Sequence, residues 1–168
     1  MKFYSASQIA HYFLAKADID VGELISNLKL QKLCYYAQGL TLGVRKQALF
    51  DEKIEAWLHG PVIPSLYAEY KAYKGAAIPS PTQLDLSAYG SADRKLLDDV
   101  FEFYGQYSAW RLRELTHLES PWKNAYAEGQ NNEISKHALQ DFFSKQVSTE
   151  YCEKYHDILR SEGQAERV

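Results

Sequence analysis

An apolar stripe at helical spacing between residues 27 and 42 is the feature that most constrains this chain. The stripe is formed by Leu30, Leu33, Cys34, Ala37 and Leu40. Residues three and four positions apart lie on the same face of an α-helix, whereas Lys29, Lys32 and Tyr36 fall on other faces. Asn27 is a suitable N-cap, and Gly43 is well placed to end the helix in a left-handed conformation. The pattern predicts a helix over residues 27–42.

Capping signals and apolar periodicity predict further helices along the chain. Ser5-x-x-Gln8 is a capping-box pattern, and Ser108 and Ser135 each precede an apolar stripe. Pro64 and Pro121 occupy positions typical of a first helical turn. Helices are therefore predicted near residues 5–17, after Pro64, from residue 91 to 104, after Ser108, after Ser120 and over residues 136–146.

The segment around residues 53–58 has a different pattern, because Ile54, Ala56 and Leu58 alternate with Glu55 and Trp57. Alternation of this kind indicates a short strand. Other elements are separated by a turn at Asn131-Asn132 and by the Gly60-Pro61 pair, which interrupts regular secondary structure. We therefore expect a mainly α, compact multi-helix domain with one short β element around residues 53–58.

The length of 168 residues fits one folded domain. We expect a helical domain over residues 1–147, followed at 148–168 by a charged helix that frays into a tail. Residues 75–90 contain two prolines and two glycines without a clear period, so they are expected to form a surface connector. The connector and the tail are candidates for partner-specific contacts.

Composition narrows the classes of function. The formal net charge is −3 and the basic residues are scattered, so a nucleic-acid partner is not favoured. No apolar run approaches the length of a membrane span, and no signal-peptide pattern follows Met1. Cys34 and Cys152 are far apart and are expected to be reduced thiols. These features predict a cytoplasmic protein.

Candidate chemical groups are few. The five histidines show no His-Glu-x-x-His spacing, and the nine glycines form no phosphate-binding loop, so neither a metal nor a cofactor is expected. His117 and Glu119 are catalytic residue types that lie two positions apart, at the start of a predicted helix. They could form an acid–base pair or could satisfy backbone groups where two helices meet, and the second interpretation is favoured.

Thirteen tyrosines and three tryptophans provide ample material for a recognition surface. Tyr35 and Tyr36 are adjacent on one helix, so we expect at least one of them to face outward. The sequence thus favours a protein that binds another protein over one that catalyses a reaction.

Three stretches, taken together in this order, resemble the Panacea domain, the family of SocA-like antitoxins and phage-associated GepA proteins. They are residues 28–39 (LKLQKLCYYAQG), residues 49–64 (LFDEKIEAWLHGPVIP) and residues 115–122 (LTHLESPW). The resemblance covers about residues 5–145. It implies an antitoxin of a toxin–antitoxin system that neutralises a cognate toxin by direct protein contact, and in the SocA type a proteolytic adaptor that delivers the toxin to the ClpXP protease.

The resemblance together with the aromatic content gives a set of expected partner-binding residues. They are Tyr35, Tyr36, Gln38, Trp57, His59, Tyr67, Tyr70, His117 and Trp122. Two other functions remain open. One is a small enzyme or ligand-binding domain that uses His117 and Glu119, and the other is a DNA-binding autoregulator.

Overall fold

The computed structural model describes residues 2–17 and 23–167 of the chain. Met1 and Val168, the outer ends of the two predicted units, lie outside the described residues. The α-helices within these ranges are α1 (Ala6–Lys16), α2 (Asn27–Arg45), α3 (Pro64–Tyr70), α4 (Ser91–Tyr104), α5 (Ala109–His117), α6 (Ser120–Ala125), α7 (Lys136–Ser144) and α8 (Thr149–Ala165). The strands are β1 (Ile54–Trp57), β2 (Gly60–Val62) and β3 (Asn132–Ile134). The prediction of a mainly α fold is confirmed.

Helix α2 is the centre of the molecule. It contacts α1, α3, α4, α5, α7 and α8, and every residue from Leu30 to Gly39 is buried. The stripe predicted the face toward the core, but a helix enclosed on all sides buries its other faces too. Lys32, which lies off the stripe, is therefore fully buried.

The end of α2 differs from the prediction. Gly43 lies inside the helix, where a Cβ atom would come within 2.8 Å of the Phe143 backbone in α7. The glycine thus allows close helix packing and does not end α2. The helix ends at Arg45, and Lys46 adopts the left-handed conformation with φ of 60°.

The predicted β element is confirmed as β1, which is the central strand of a three-stranded antiparallel sheet in the order β2-β1-β3. Strands β1 and β2 form a hairpin in which Trp57 pairs with Gly60. Pro61 is tolerated because β2 is an edge strand. Asn132, expected in a turn, instead pairs with Ala56 as part of β3, a strand too short to give a sequence pattern.

Serine caps fix most of the other helix starts. Ser5, Ser108 and Ser135 accept backbone hydrogen bonds at the starts of α1, α5 and α7, as predicted. Ser26 caps α2 in place of Asn27, and Ser120 is the first residue of α6 and not its cap. These differences shift element boundaries by a single residue.

A buried polar centre ties both ends of the described chain to the core. The Asp93 carboxylate accepts hydrogen bonds from the hydroxyls of Tyr4 (2.7 Å) and Tyr155 (2.8 Å) and pairs with Arg45 at 3.1 Å. We call these four residues the Asp93 centre; all four are buried. Since Tyr155 belongs to α8, the C-terminal helix expected after residue 148 is attached to the core through this buried side chain.

The connector at residues 75–90 is largely exposed, as expected of a surface segment. Two residues attach it to the core. Ile78 is buried and its N–H donates to the Ile25 carbonyl at 2.9 Å, and Tyr89 stacks on Tyr4. A functional division of the chain at residue 148 stays a prediction.

Candidate functional site

The three motif stretches meet where the β1–β2 hairpin lies against α2, α5 and α6. The hairpin loop consists of Leu58 and His59, and Gly60 follows with φ of 107°, a conformation that disfavours side chains with a Cβ atom. A Cβ at this position would lie 2.6 Å from Cε of Lys32 and 2.8 Å from Oγ1 of Thr116. Glycine is thus required for the hairpin to cover Lys32.

Lys32 is the most unusual charged group at this site. Its ammonium group is buried beneath the hairpin and donates to the Pro61 carbonyl at 3.1 Å. Burial, and secondarily the Arg113 guanidinium, lower the pKa of Lys32 to about 7. In the described ranges, no carboxylate lies within ion-pair distance of this amine.

Arg113 on α5 is held against the hairpin loop. Its Nε donates to Nδ1 of His59 at 3.0 Å, and its guanidinium lies 4.4 Å from the Trp110 ring centroid. His59 accepts at Nδ1, so that nitrogen carries no proton in this arrangement. The stacking and the hydrogen bond together fix the plane of the guanidinium on the protein surface.

His117 and Trp122 form a stacked pair at the junction of α5 and α6. Their ring centroids are 3.8 Å apart, and the Trp122 indole N–H donates to the Trp57 carbonyl at 2.8 Å. Burial, followed by the charge of Arg113, lowers the pKa of His117. This pair anchors α6 and the end of α5 to strand β1.

The elements that carry these polar groups also carry or adjoin exposed large apolar side chains. Leu58 in the hairpin loop is 59% exposed, Trp110 is 54% exposed, and Leu118 just after α5 is 73% exposed. We call Leu58, His59, Trp110, Arg113 and Leu118 the turn–α5 surface. Exposed apolar groups clustered beside fixed polar groups are typical of protein-binding surfaces.

A cavity of about 300 Å³ adjoins the turn–α5 surface. Its walls include Trp57 and Tyr67, whose ring centroids are 5.1 Å apart. His59, Lys71 and Lys74 also line it. The ionisable groups that line it are all of the basic type or are tyrosine. The cavity is therefore suited to an apolar group that carries or neighbours negative charge.

Glu119 lies in a separate polar environment behind the site. Its two carboxylate oxygens accept hydrogen bonds from the hydroxyls of Tyr35 (3.1 Å) and Tyr36 (3.0 Å). Burial raises the pKa of Glu119 to about 7, and the two tyrosine hydrogen bonds act in the opposite direction. No hydrogen bond joins Glu119 to His117 among the described residues, so the two side chains do not form the acid–base pair considered above.

The expectation that Tyr35 or Tyr36 faces outward is wrong. Both side chains are fully buried, because helices surround α2 and Phe143 of α7 packs on both rings. Tyr36 also stacks on Tyr104 with the ring centroids 3.7 Å apart. Two adjacent residues can both be buried when the helix has no solvent-facing side.

Gln38 and Tyr70 are also buried. The Gln38 amide donates to the Phe50 carbonyl at 2.7 Å and accepts from the Leu49 N–H at 2.8 Å, so it holds the segment that leads into β1. Of the nine expected partner-binding residues, the structure brings five together at the hairpin. These are Trp57, His59, Tyr67, His117 and Trp122.

Arg113, Trp110 and Lys32 were not singled out as site residues from the sequence. Arg113 and Trp110 lie in α5, outside the motif stretches, and the residues next to them in the sequence form no pattern typical of a functional site. For Lys32 a signal was present: Gly39 and Gly43 lie seven and eleven positions after it, on the same helical face. Two small residues four apart indicate close helix packing on that face.

Comparison with known proteins places these features in a family. The family described as Antitoxin SocA-like, Panacea domain matches residues 30–123, a range that contains most of α2, the hairpin, α5 and the start of α6. The chain belongs to this family. Membership supports an antitoxin role.

A curated relative agrees with the family assignment. The chain is 41% identical over 68 residues to a protein named Antitoxin SocA from Caulobacter vibrioides. The match spans 40% of this chain and 35% of the length of that relative. No solved structure matches the chain.

Across residues 2–17 and 23–167, every helix is too short or too polar to span a lipid bilayer. The same ranges contain no group of three or more His, Cys, Asp and Glu side chains placed to hold a metal ion.

Proposed function

We propose that this protein is the antitoxin of a toxin–antitoxin pair and neutralises its cognate toxin by direct contact through the turn–α5 surface. The observation that carries the proposal is the exposure of Leu58, Trp110 and Leu118 on elements matched by the antitoxin family. Tryptophan, tyrosine and arginine are the residue types that most often contribute the binding energy of a protein interface, and this surface contains Trp110 and Arg113.

The rigidity of the surface supports the same function. The Trp122–Trp57 hydrogen bond fixes α6 to β1, and Gly60 seats the hairpin on Lys32. A preformed surface binds without the entropic cost of ordering a loop. The contact residues are thus presented in one arrangement before the toxin arrives.

Growth rescue tests the proposal. Reading frames adjacent to the gene are expressed alone and together with this protein, and one of them is expected to be toxic alone and harmless in combination. The double substitution Trp110→Ala and Leu118→Ala should abolish rescue while the purified protein keeps its thermal unfolding midpoint. Phe103→Ala is the matched control, because Phe103 on α4 is 55% exposed but lies outside the turn–α5 surface.

Full rescue by the double variant would contradict the assignment of the surface. Failure of any neighbouring product to bind wild-type protein would contradict the antitoxin function itself. The two outcomes are separated by a pull-down of the product with wild-type protein.

The fate of the toxin distinguishes blocking from delivery to a protease such as ClpXP, the route that the family resemblance implies for the SocA type. Blocking leaves the half-life of the bound toxin unchanged or prolongs it. An adaptor shortens that half-life, and the shortening disappears when the protease is deleted. Pulse-chase measurement of the toxin in both strains separates the two routes.

A further inference from the structure

The charges around the hairpin are unusual for a chain with a net charge of −3. Lys32 on α2, His59 in the hairpin loop, and Arg113 and His117 on α5 are close enough to influence one another. Arg113 is a permanent cation, and its charge is among the causes that lower the pKa of both Lys32 and His117. The site therefore concentrates positive potential on a protein that is acidic as a whole.

The carboxylates of the same elements do not neutralise this cluster. Glu114 pairs with Arg111 at 3.0 Å, Glu55 accepts from the Trp57 indole at 3.0 Å, and Glu119 is held by two tyrosines. Within residues 2–17 and 23–167, neither Lys32 nor Arg113 has a carboxylate at ion-pair distance. The opposite charge must come from solvent ions or from a bound molecule.

The geometry of Arg113 favours a carboxylate. Its Nε is occupied by His59 and its plane rests on Trp110, whereas its two terminal nitrogens make no hydrogen bond within the described part of the chain. A planar guanidinium with two free terminal nitrogens matches the two oxygens of a carboxylate. The exposed leucines of the same elements, Leu58 and Leu118, match the aliphatic or aromatic residues beside an acidic group in a peptide.

We propose that the turn–α5 surface binds an acidic segment of the partner protein, with a carboxylate on Arg113 and an adjacent apolar side chain against Trp110 and in the adjoining cavity. This inference rests on the proposed function, because it names the chemistry of the partner at the same surface. Lys71 and Lys74 at the far side of the cavity extend the positive potential along the path of such a segment.

A protein segment fits better than a nucleic acid. A phosphate backbone would also pair with Arg113, but nucleic-acid surfaces combine many basic groups with few exposed leucines. Here Leu58, Trp110 and Leu118 are exposed on the elements that carry or adjoin the half-buried Arg113. An oligonucleotide is therefore included in the test as the competing ligand.

The tryptophans provide a specific signal for binding. The chain contains three tryptophans, Trp57, Trp110 and Trp122, and all of them lie at this site. A change in intrinsic tryptophan fluorescence or in the indole N–H resonances thus reports this site and no other. No label is needed.

The experiment screens the full chain against an array of short blocked peptides in which Asp or Glu flanks Leu, Phe or Trp. A matched array replaces every Asp by Asn and every Glu by Gln. Acidic peptides are expected to bind and to change tryptophan fluorescence, with affinity reduced roughly tenfold or more in the amide array. Single-stranded oligonucleotides of similar charge are expected not to bind.

Variants assign the effect to Arg113. Arg113→Gln should weaken the best acidic peptide roughly tenfold or more, and Arg113→Lys should restore part of the affinity because it keeps the charge without the planar fork. Arg111→Gln on the same helix removes the same formal charge and is expected to change affinity less than about twofold. Circular dichroism confirms that each variant is folded.

Three outcomes would overturn the inference: binding equal for the acidic and amide arrays, binding unaffected by Arg113→Gln, or preferential binding of the oligonucleotide. Absence of binding to the whole acidic array would overturn it as well. These results leave the proposed function standing if Trp110→Ala with Leu118→Ala still abolishes growth rescue. Conversely, peptide binding without any neutralised toxin would contradict the proposed function alone.

Discussion

The molecule buries two cationic side chains in two different ways. Arg45 in the Asp93 centre faces a carboxylate that also accepts two tyrosine hydroxyls, so its charge is fully compensated. Lys32 beneath the hairpin has one carbonyl as its partner and the cation Arg113 as its neighbour. The first arrangement joins the segment before α1 to α2, α4 and α8, and the second leaves positive charge next to an exposed apolar surface.

In this fold, scaffold and site differ in whether the protein itself neutralises the buried charge. A buried charge that the protein neutralises internally stabilises the fold when it is present and is costly to break. A buried charge that the protein leaves uncompensated costs stability in the free protein, and its field attracts a partner of opposite charge.

The largest effect is expected from breaking the compensated centre. Asp93→Asn leaves Arg45 buried without a counter-charge and should lower the free energy of unfolding by about 3–5 kcal/mol. Urea denaturation measures this change. Asp157→Asn, which removes an exposed ion pair with Arg160, is the control and should cost roughly 0.5 kcal/mol or less. Similar costs for the two variants would contradict the scaffold role of the Asp93 centre.

The next effect concerns the hairpin that covers Lys32. Gly60→Ala should lower the free energy of unfolding by about 2–3 kcal/mol, because it combines backbone strain with a collision against Lys32 and Thr116. Gly129→Ala isolates the strain, since Gly129 has φ of 73° and no atom within 4 Å of a Cβ position. It should cost about 1 kcal/mol. Equal costs measured by urea denaturation would show that the hairpin can move away from Lys32.

The buried ammonium group of Lys32 should make the free energy of unfolding depend on pH. The pKa of Lys32 is lowered by burial to about 7, so above this pH the unfolded chain binds more protons than the folded chain. Stability is therefore expected to rise between about pH 7 and about pH 8.5. Above this window, Cys34 loses its proton in the unfolded chain but keeps it in the folded chain, because burial raises the pKa of its thiol, and this opposes the rise. Lys32→Met should abolish the rise, whereas the exposed-site control Lys154→Met should keep it.

A rise of equal size in Lys32→Met would assign the effect to another group. At about pH 7 this substitution is expected to change the free energy of unfolding by less than about 1 kcal/mol, because removal of an uncompensated buried charge offsets the lost hydrogen bond. A large loss of stability would show that the ammonium group is structurally compensated after all.

Glu119 is an intermediate case, because it has hydrogen-bond partners but no cation. Its pKa is raised by burial to about 7, so its stabilising contribution is present at low pH and is lost as the pH rises from about 4.5 through about 7. Glu119→Gln should remove this loss while it keeps a neutral group between Tyr35 and Tyr36. The difference between wild type and variant, measured by urea denaturation at both ends of the window, should therefore change with pH. A difference that does not change with pH would contradict the raised pKa of the Glu119 carboxyl group.

The sequence predicted the secondary-structure elements better than the burial of their side chains. The stripe along α2, the serine caps of α1, α5 and α7 and the β1 strand follow from local patterns, and these were confirmed. Burial of Lys32, Tyr36 and Gln38 depends on helices that pack on α2 from distant parts of the chain. Periodicity identifies the face that must be buried, but it does not show that the remaining faces are buried as well.

The site could be predicted in part for the same reason. Trp57, His117 and Trp122 were expected to matter, and the structure joins them through a stacked pair and an indole hydrogen bond. Arg113 and Trp110 meet the hairpin across more than fifty residues of sequence, as the Arg113–His59 hydrogen bond shows. That contact exists only through the tertiary fold, so no local pattern indicates it.

Hydrogen exchange of the protein bound to its toxin tests the central claim most directly. Amides in the β1–β2 hairpin loop and in α5 are expected to gain protection on binding, and those in the exposed connector at residues 75–90 are expected to exchange as in the free protein. Protection confined to the connector or to α8, with unchanged exchange in the hairpin and α5, would contradict the assignment of the turn–α5 surface as the site of toxin contact.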